Sequence, residues 1–376
     1  MKHILATATI AALLLAGCSG STGMDADGDD AFGPNPYAPP TRSTDVLGSG
    51  ATFPKPLIET WALTYNQQQP TVKVSYAGGG SGKGISDITQ KQVVFAASDA
   101  PLSDSEKAAA PGILQFPDTL GLVAIAYNQP SVPDGLRLDG ETLGKVFTGA
   151  ISRWDDPAIA ALNPGAQLPD ERIAIVYRSD SSGTTFVFTD YLAKASQTWS
   201  GQMGAGASKK PDWTKSTAQQ LSGNGNDGVG STIRSTPNSI GYVELAFVKS
   251  LGLKSAHIQN KAGGFVAPTT DGATKAASAA AASLPAPDGD WSDVSIVDSS
   301  APGAYPISSF SYVLVYKDLA TYGGAADAQK LQAFRAWMWW SLHHGQRFAE
   351  PLGYAPLPAE VAAVGVRALE GMQVGA

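Results

Sequence analysis

Hydroxyl side chains and glycines recur at three places where a strand-like run turns into a helix-like run. These junctions are Ser49–Trp61 (SGATFPKPLIETW), Ser75–Ile88 (SYAGGGSGKGISDI) and Val176–Leu192 (VYRSDSSGTTFVFTDYL). Backbone N–H groups at a helix start have no partner within the helix, and the helix dipole favours an anion beside them. One such junction alone is more commonly an ordinary helix cap. Three of them together predict an anion site.

Each junction supplies a candidate ligand. Thr52 follows a glycine-rich turn and precedes two prolines, which predicts that it caps a helix. Ser81 occupies the same setting in the second junction, and Ser182 does so in the third. Arg178 ends the strand of the third junction, and a guanidinium can bind an oxyanion through two parallel charge-assisted hydrogen bonds.

An acidic residue gives the predicted site a possible basis for selectivity. Asp99 lies in VVFAASDAPLS, after a strand of small residues. Considered alone, it would be interpreted as a turn residue. Beside a bound anion it would accept a hydrogen bond from a protonated oxygen of the ligand. A buried charge left without a partner costs more than about 1–3 kcal/mol, so such a site rejects an anion that carries no proton.

Strand-like and helix-like runs alternate along the chain, which predicts an α/β fold with largely parallel sheets. The strand-like runs are Lys73–Tyr76, Val93–Ala97, Gly121–Tyr127, Arg172–Tyr177, Ile240–Val243 and Tyr312–Tyr316. The helix-like runs are Pro54–Gln68, Leu143–Thr148, Asp156–Ala161, Thr185–Ala195 and Ala326–His344. The last of these is rich in tryptophan, and its apolar stripe favours core packing over a partner-docking surface.

The composition narrows the class of protein. The chain has 376 residues, which is enough for two hydrophobic cores. Its net charge is −7 and its pI about 5.1, which argues against nucleic-acid binding. No group of histidine, cysteine and acidic residues has the spacing of metal ligands, so we expect no metal and no cofactor.

The beginning of the chain indicates export. A basic start and an apolar run up to residue 16 lead to Leu-Ala-Gly-Cys, a pattern typical of a secretory signal and too short for a membrane span. The single cysteine, Cys18, resembles the lipid-bearing residue of bacterial lipoproteins; the alternative is an ordinary signal peptide with a chance cysteine. We predict a signal peptide at 1–17 and a disordered, lipid-anchored tether at 18–43, rich in Ser, Gly, Asp and Pro. The expected location is the periplasm or the outer face of a bacterial membrane.

Taken together, the three junctions and the Asp99 segment resemble the phosphate-binding proteins of bacterial phosphate ABC importers. They match in order and spacing, as do LDGETLGKVFTGAISRWDDPAIAALNPG, GNGNDGV and SIGYVE, so the resemblance extends from about residue 47 to about residue 367. It implies a two-lobed periplasmic-binding-protein fold in which each lobe is a mixed, mostly parallel sheet flanked by helices and a two-segment hinge joins them. Carried over by motif position, the implied phosphate ligands are Thr52 and Phe53 (through backbone N–H), Ser81, Asp99, Arg178, Ser182, Gly183 and Thr184.

The resemblance also implies boundaries and partners. Residues 44–120 and 305–376 would form lobe I and residues 121–304 lobe II, with crossings near Thr119–Gly121 and Tyr305–Ser309. The protein would capture inorganic phosphate as a monomer, perform no catalysis, and deliver its ligand to the permease subunits of an ABC importer.

One loop departs from the family pattern. The family commonly reads Gly-Ser-Ser-Gly-Gly after the tyrosine, whereas this chain reads Gly-Ser-Gly-Lys-Gly over residues 80–84. Lys83 could add a charge beside the anion or point to water. We favour water, because the implied ligand set is complete without it.

Three other functions fit the sequence less well. A nucleotide hydrolase needs G-x-x-x-x-G-K-[ST], but Ala77 and Gly84 stand at its two ends. A phosphatase or serine hydrolase is disfavoured because Ser182 does not lie in G-x-S-x-G. A receptor for sulfate or molybdate would have the same fold, and Asp99 is the residue that argues against it.

Overall fold

The computed structural model describes residues 34–322 and 326–375, so the predicted signal peptide, Cys18 and most of the predicted tether lie outside the described residues. The strands are β1 Thr44–Gly50, β2 Val72–Gly78, β3 Phe95–Ser98, β4 Ile113–Asn128, β5 Arg137–Leu138, β6 Ala174–Arg178, β7 Gln219–Gly223, β8 Ser239–Glu244, β9 Lys254–Ser255, β10 His257–Gln259, β11 Phe265–Val266 and β12 Ser308–Tyr316. The α-helices are α1 Lys55–Gln68, α2 Ser81–Thr89, α3 Asp104–Ala109, α4 Gly140–Thr148, α5 Pro157–Leu162, α6 Gly183–Ala195, α7 Gln197–Met203, α8 Gly225–Ser235, α9 Leu245–Leu251, α10 Thr270–Ala280, α11 Ala326–Leu342, α12 Ala349–Leu352 and α13 Ala359–Gly371. None of the helices in these ranges combines the length and apolarity needed to cross a membrane.

Nine strands form one mixed sheet in the order β2-β1-β3-β12-β4-β8-β6-β7, with β9 beside β4. Strand β4 has two sets of partners: up to Leu122 it pairs with β12, and from Val123 onward it pairs with β8. We call the strands on the β12 side of this change the first half-sheet and those on the β8 side the second half-sheet. A separate small sheet has the order β11-β10-β5.

Each half-sheet contains the parallel pairs that an alternating α/β chain predicts. In the first, β1 is parallel to β2 and to β3; in the second, β6 is parallel to β7 and to β8. The antiparallel pairs of the main sheet all involve β4 or β12. The carboxyl ends of β1, β2, β3 and β6 lead into the loops that carry the predicted anion ligands, as is usual in α/β sheets.

The tryptophan-rich helix α11 belongs to the core of the first half-sheet. Trp337 is fully buried, and its ring lies 4.9 Å from that of Phe95 on β3. Trp339 and Trp340 are also buried. The prediction of core packing for this helix is confirmed.

Two residues of the chain before β1 contact helix α11. The Asn35 side chain donates a hydrogen bond of 2.8 Å to the carbonyl oxygen of Ala336, and the Tyr37 ring lies 5.3 Å from the guanidinium of Arg335. Asn35 and Tyr37, which lie within the segment predicted to be a disordered tether, therefore touch the domain.

A bulge in β4 places an acid in the interior. Thr119 pairs with Ser311 and Pro117 with Tyr312, so Asp118 is the extra residue between two ladder positions. Asp118 is fully buried, and burial raises its pKa from 3.8 to about 8, with the charge of Asp99 adding to the increase.

This raised pKa predicts a pH-dependent effect of the Asp118→Asn substitution. Between about pH 4 and pH 8 the unfolded wild-type carboxyl is ionised while the folded one stays protonated, so wild-type stability falls as pH rises through this window. Asparagine does not ionise, so the variant does not lose stability in this way as pH rises. We expect the unfolding midpoint of Asp118→Asn to rise relative to the wild type by roughly 5 °C or more between pH 4 and pH 8. Thermal unfolding at several pH values measures this, with exposed Asp45→Asn as the control; a constant difference across the window would contradict it.

Candidate anion-binding site

All three predicted helix starts are formed, but of their three hydroxyl residues only Ser182 is an N-cap, because Gly80 is the N-cap of α2 and Pro54 that of α1. Helix α2 begins at Ser81 after a turn in which Gly80 has φ +89°, a conformation that favours glycine. Helix α6 begins at Gly183, and Ser182 caps it by accepting a 3.0 Å hydrogen bond from the N–H of Thr185. Ser81, Ser182 and Gly183 are all buried, which suits a ligand held away from water.

The predicted capping role of Thr52 is wrong. Helix α1 begins at Lys55, and its N-cap is Pro54, which makes no side-chain cap. The Thr52 hydroxyl is instead a hydrogen-bond acceptor for Asn226, which is 174 residues away and donates from its backbone N–H (3.0 Å) and from Nδ2 (3.1 Å). Thr52 is thus buried at the site through a tertiary contact, and Phe53 beside it is fully buried, with its carbonyl oxygen accepting from the Tyr354 hydroxyl (2.6 Å).

Arg178 is the only buried lysine or arginine in the described ranges. Its Nε and Nη2 donate to the two carboxylate oxygens of Asp180 at 2.8 and 2.5 Å, and Nη1 donates to Thr184 Oγ1 at 3.2 Å. Burial alone would raise the pKa of Asp180, but the hydrogen bonds and charge of Arg178 bring it below its ordinary value. The ion pair fixes the guanidinium and largely balances its charge.

Asp99 has one satisfied and one unsatisfied carboxylate oxygen. Oδ1 accepts a 2.7 Å hydrogen bond from the Ser311 hydroxyl, whereas the buried Oδ2 has no hydrogen-bond partner among residues 34–322 and 326–375. Burial raises the pKa of Asp99 to about 7, against the opposing effects of Ser311 and Arg178. A buried polar atom of this kind is costly unless a ligand or water completes its bonding.

The Gly183 position joins the two halves of the site. A Cβ added there would lie 2.3 Å from Ser81 Oγ and 2.6 Å from Asp99 Oδ2. The start of α6, in the second half-sheet, therefore touches the hydroxyl of α2 and the free oxygen after β3, both in the first half-sheet. The predicted ligands Ser81, Asp99 and Gly183 are brought together.

The loop that departs from the family pattern has a packing reason. Gly82 donates a 3.0 Å hydrogen bond to the carbonyl oxygen of Ser181, and a Cβ at Gly82 would lie only 2.4 Å from Ser181 Oγ. Lys83 is about half exposed and forms an ion pair with Asp87, four residues later in α2. The half-exposed Lys83 side chain therefore contacts water, the alternative that we favoured, and its charge also has Asp87 as a partner.

Three site residues were missed in the sequence. Asp180 follows the predicted Arg178 by two positions, and an acid so close to a buried cation was an available signal. Asn226, in the quoted GNGNDGV, touches both Thr52 and Thr184. Ser311 lies within the fully buried strand β12, where no local pattern distinguishes it.

Comparisons with known proteins identify related chains. The profile of the PBP superfamily domain matches residues 35–339. The chain is 38% identical over 344 residues to the phosphate-binding protein PstS of Xylella fastidiosa (strain 9a5c), covering 90% of this chain and 88% of that protein. It is 37% identical over 336 residues to the phosphate-binding protein PstS of Haemophilus influenzae, covering 88% and 93% respectively.

The fold also matches solved structures. A high-affinity periplasmic phosphate-binding protein bound with phosphate (PfluDING) superposes with a TM-score of 0.66 at 22% identity, covering 86% of this chain and 93% of that one. A putative phosphate ABC transporter substrate-binding protein from Clostridium perfringens gives a TM-score of 0.58 at 16% identity, covering 84% and 100%. The observed architecture is therefore the periplasmic-binding-protein fold.

Proposed function

Because this chain belongs to the phosphate-binding protein family of the PBP superfamily, we propose that it captures inorganic phosphate between its two half-sheets and delivers it to the permease of an ABC importer. The implied ligands are Thr52, Phe53, Ser81, Asp99, Arg178, Ser182, Gly183 and Thr184. The observation that carries the proposal is the meeting of one buried arginine, two helix starts and one unpartnered carboxylate oxygen in a single place.

The charge balance favours a ligand held mainly by hydrogen bonds. Arg178 is already neutralised by Asp180, so the site offers donors more than net positive charge. Hydroxyl and backbone N–H groups can hold an anion under these conditions, particularly where water is excluded. A protein with this role binds and releases its ligand without catalysing a reaction.

Asp99 supplies the selectivity. When Asp99 is ionised, Oδ2 can accept only from a ligand that carries a proton, which phosphate does and sulfate does not. Because burial raises the pKa of Asp99 to about 7, its carboxyl becomes a possible donor only as pH falls through that value. Discrimination against sulfate should therefore be greatest above pH 7.

We propose that residues 44–120 and 305–376 form one lobe and residues 121–304 the other. Two observations support this division: β4 changes partners between Leu122 and Val123, and β12 begins at Ser308. The Glu106–Lys209 ion pair joins the two proposed lobes, and we propose that the lobes separate when the ligand is released. Small-angle X-ray scattering with and without phosphate tests it; identical profiles would count against lobe closure.

We also propose that the protein is an exported monomer that is anchored by a lipid on Cys18. Its support is the Leu-Ala-Gly-Cys sequence and the polar segment that follows. Intact-mass measurement of the membrane-bound protein tests the anchor, because a mature chain without lipid and without Cys18 as its first residue would exclude it.

Calorimetric titration tests the proposed ligand. Protein lacking the first 18 residues would be stripped by partial unfolding and dialysis, then titrated at pH 8 with phosphate, sulfate and ATP. We expect one-to-one phosphate binding and no heat from sulfate or ATP. No phosphate heat from a folded, stripped protein would exclude the proposal, and equal sulfate binding would indicate a general oxyanion receptor.

The Asp99→Asn variant tests the basis of selectivity. Loss of the charged acceptor should lower phosphate affinity by about 10- to 100-fold, while the new amide N–H can donate to sulfate. We therefore expect sulfate binding to appear at pH 8 in this variant. A variant that still shows no sulfate heat would mean that Asp99 is not the selecting group.

A further inference from the structure

Asn226 in α8 has a fully buried side chain. It contacts the hydroxyls of two residues proposed to bind phosphate, one from each half-sheet. Its backbone N–H and Nδ2 donate to Thr52 Oγ1, and Nδ2 also donates to Thr184 Oγ1 at 3.2 Å. Its Oδ1 accepts the backbone N–H of Glu244 at 3.1 Å. Since a backbone N–H can only donate, this last bond fixes which side of the amide faces the threonines.

These contacts fill the acceptor capacity of both threonine hydroxyls. A hydroxyl oxygen has two lone pairs and one proton. Thr52 Oγ1 accepts twice from Asn226, while Thr184 Oγ1 accepts once from Asn226 and once from Arg178. Each hydroxyl can then act toward a ligand only as a donor.

We propose that Asn226 is a positioning residue that makes the Thr52 and Thr184 hydroxyls obligate donors to the bound oxyanion. This inference rests on the proposed function and extends it. Ser81 Oγ and Ser182 Oγ each accept only one backbone N–H, so they keep one lone pair, and Asp99 Oδ2 is the carboxylate oxygen left to accept from the ligand. A hydroxyl that could rotate to accept a hydrogen bond would also tolerate a ligand that carries an additional proton.

The same residue links donor orientation to closure. Thr52 follows β1 in the first half-sheet, whereas Asn226 and Thr184 follow β7 and β6 in the second. The Thr52 hydroxyl receives its two hydrogen bonds only when the halves are together. Closure therefore orients the Thr52 donor, whereas the Thr184 donor is held by Asn226 and Arg178 of its own half-sheet before the halves meet, which favours affinity.

The Asn226→Asp variant tests the inference with little change in shape. It keeps the oxygen that accepts from Glu244, but an oxygen replaces Nδ2 and draws the threonine protons away from the ligand. We expect phosphate affinity at pH 8 to fall by about 30-fold or more. Asn224→Asp, an exposed residue two positions earlier, introduces the same charge and should change affinity less than about 3-fold.

A double-mutant cycle separates orientation from a merely structural role. In a Thr52→Val background one of the two hydroxyls is absent, so Asn226→Asp should cost clearly less than it does in the wild type. Asn226→Ala, which adds no charge, repeats the cycle if the aspartate variant does not fold. The unfolding midpoint without phosphate monitors folding.

The possible results have distinct meanings. Equal losses in the wild-type and Thr52→Val backgrounds, or an Asn226→Asp effect no larger than that of Asn224→Asp, would overturn the role of Asn226 while leaving phosphate binding intact. A wild-type chain that does not bind phosphate would exclude the proposed function itself.

Discussion

Replacing Gly183 with alanine is expected to abolish measurable phosphate binding in a chain that still folds. The added Cβ would lie 2.3 Å from Ser81 Oγ and 2.6 Å from Asp99 Oδ2, distances at which atoms must move apart. Both of those groups are proposed ligands, so the half-sheets could not close around the anion. Gly183 is the first residue of α6 and has no positive φ, so alanine suits the local backbone.

Calorimetry with phosphate, together with thermal unfolding, measures this prediction. We expect a loss in affinity of roughly 1,000-fold or more, because two ligand contacts are displaced at once. Gly201→Ala is the matched control, since a Cβ at that position in α7 meets no atom within 4 Å. Near-normal phosphate affinity in Gly183→Ala would show that the closed arrangement is not the binding form.

The second large effect is expected from Arg178→Met, which should also lower phosphate affinity by roughly 1,000-fold. Methionine fills part of the space but removes the charge, the fork geometry and the hydrogen bond to Thr184. It also leaves the Asp180 carboxylate buried beside the anion without its cation, which should destabilise the fold as well.

A second substitution separates these two causes. Asp180→Asn in the Arg178→Met background removes the unpaired charge but keeps an oxygen to accept the 3.0 Å hydrogen bond from Gly225. We expect the double variant to recover much of the unfolding midpoint but little of the phosphate affinity. Recovery of affinity as well would indicate that Arg178 acts by neutralising Asp180 and not by binding the ligand.

Local features of the sequence predicted the parts of the site that depend on neighbouring residues. Ser182 precedes a helix that follows a strand, and its position follows from the order of residues along the chain. The resemblance to a known family added Phe53, Gly183 and Thr184 as ligands. Asp180 could have been predicted from local sequence as well, because an acid two residues from a buried arginine is well placed to form an ion pair with it.

Contacts between distant segments could not be predicted in this way. Thr52 resembles a helix cap, but Asn226 binds its hydroxyl from 174 residues away. Ser311 reaches Asp99 across 212 residues, from a strand in which every residue is buried. The antiparallel pairing of β12 could not be predicted either, because periodicity predicts a strand but does not indicate which strand lies beside it.

The position of β12 has a consequence for the order in which the protein can fold. This strand lies between β3 and β4, yet it is separated from β4 by about 180 residues of chain, including the whole second half-sheet. While the chain is being synthesised, β3 has β1 beside it, but β3 and the part of β4 up to Leu122 both lack β12 until residue 316 is available. The second half-sheet can assemble earlier, because its strands β4, β6, β7, β8 and β9 all lie between residues 113 and 255. The first half-sheet is therefore completed late, by pairing between distant segments. It is the half-sheet that carries Ser81 and Asp99, so this part of the site is the last to form.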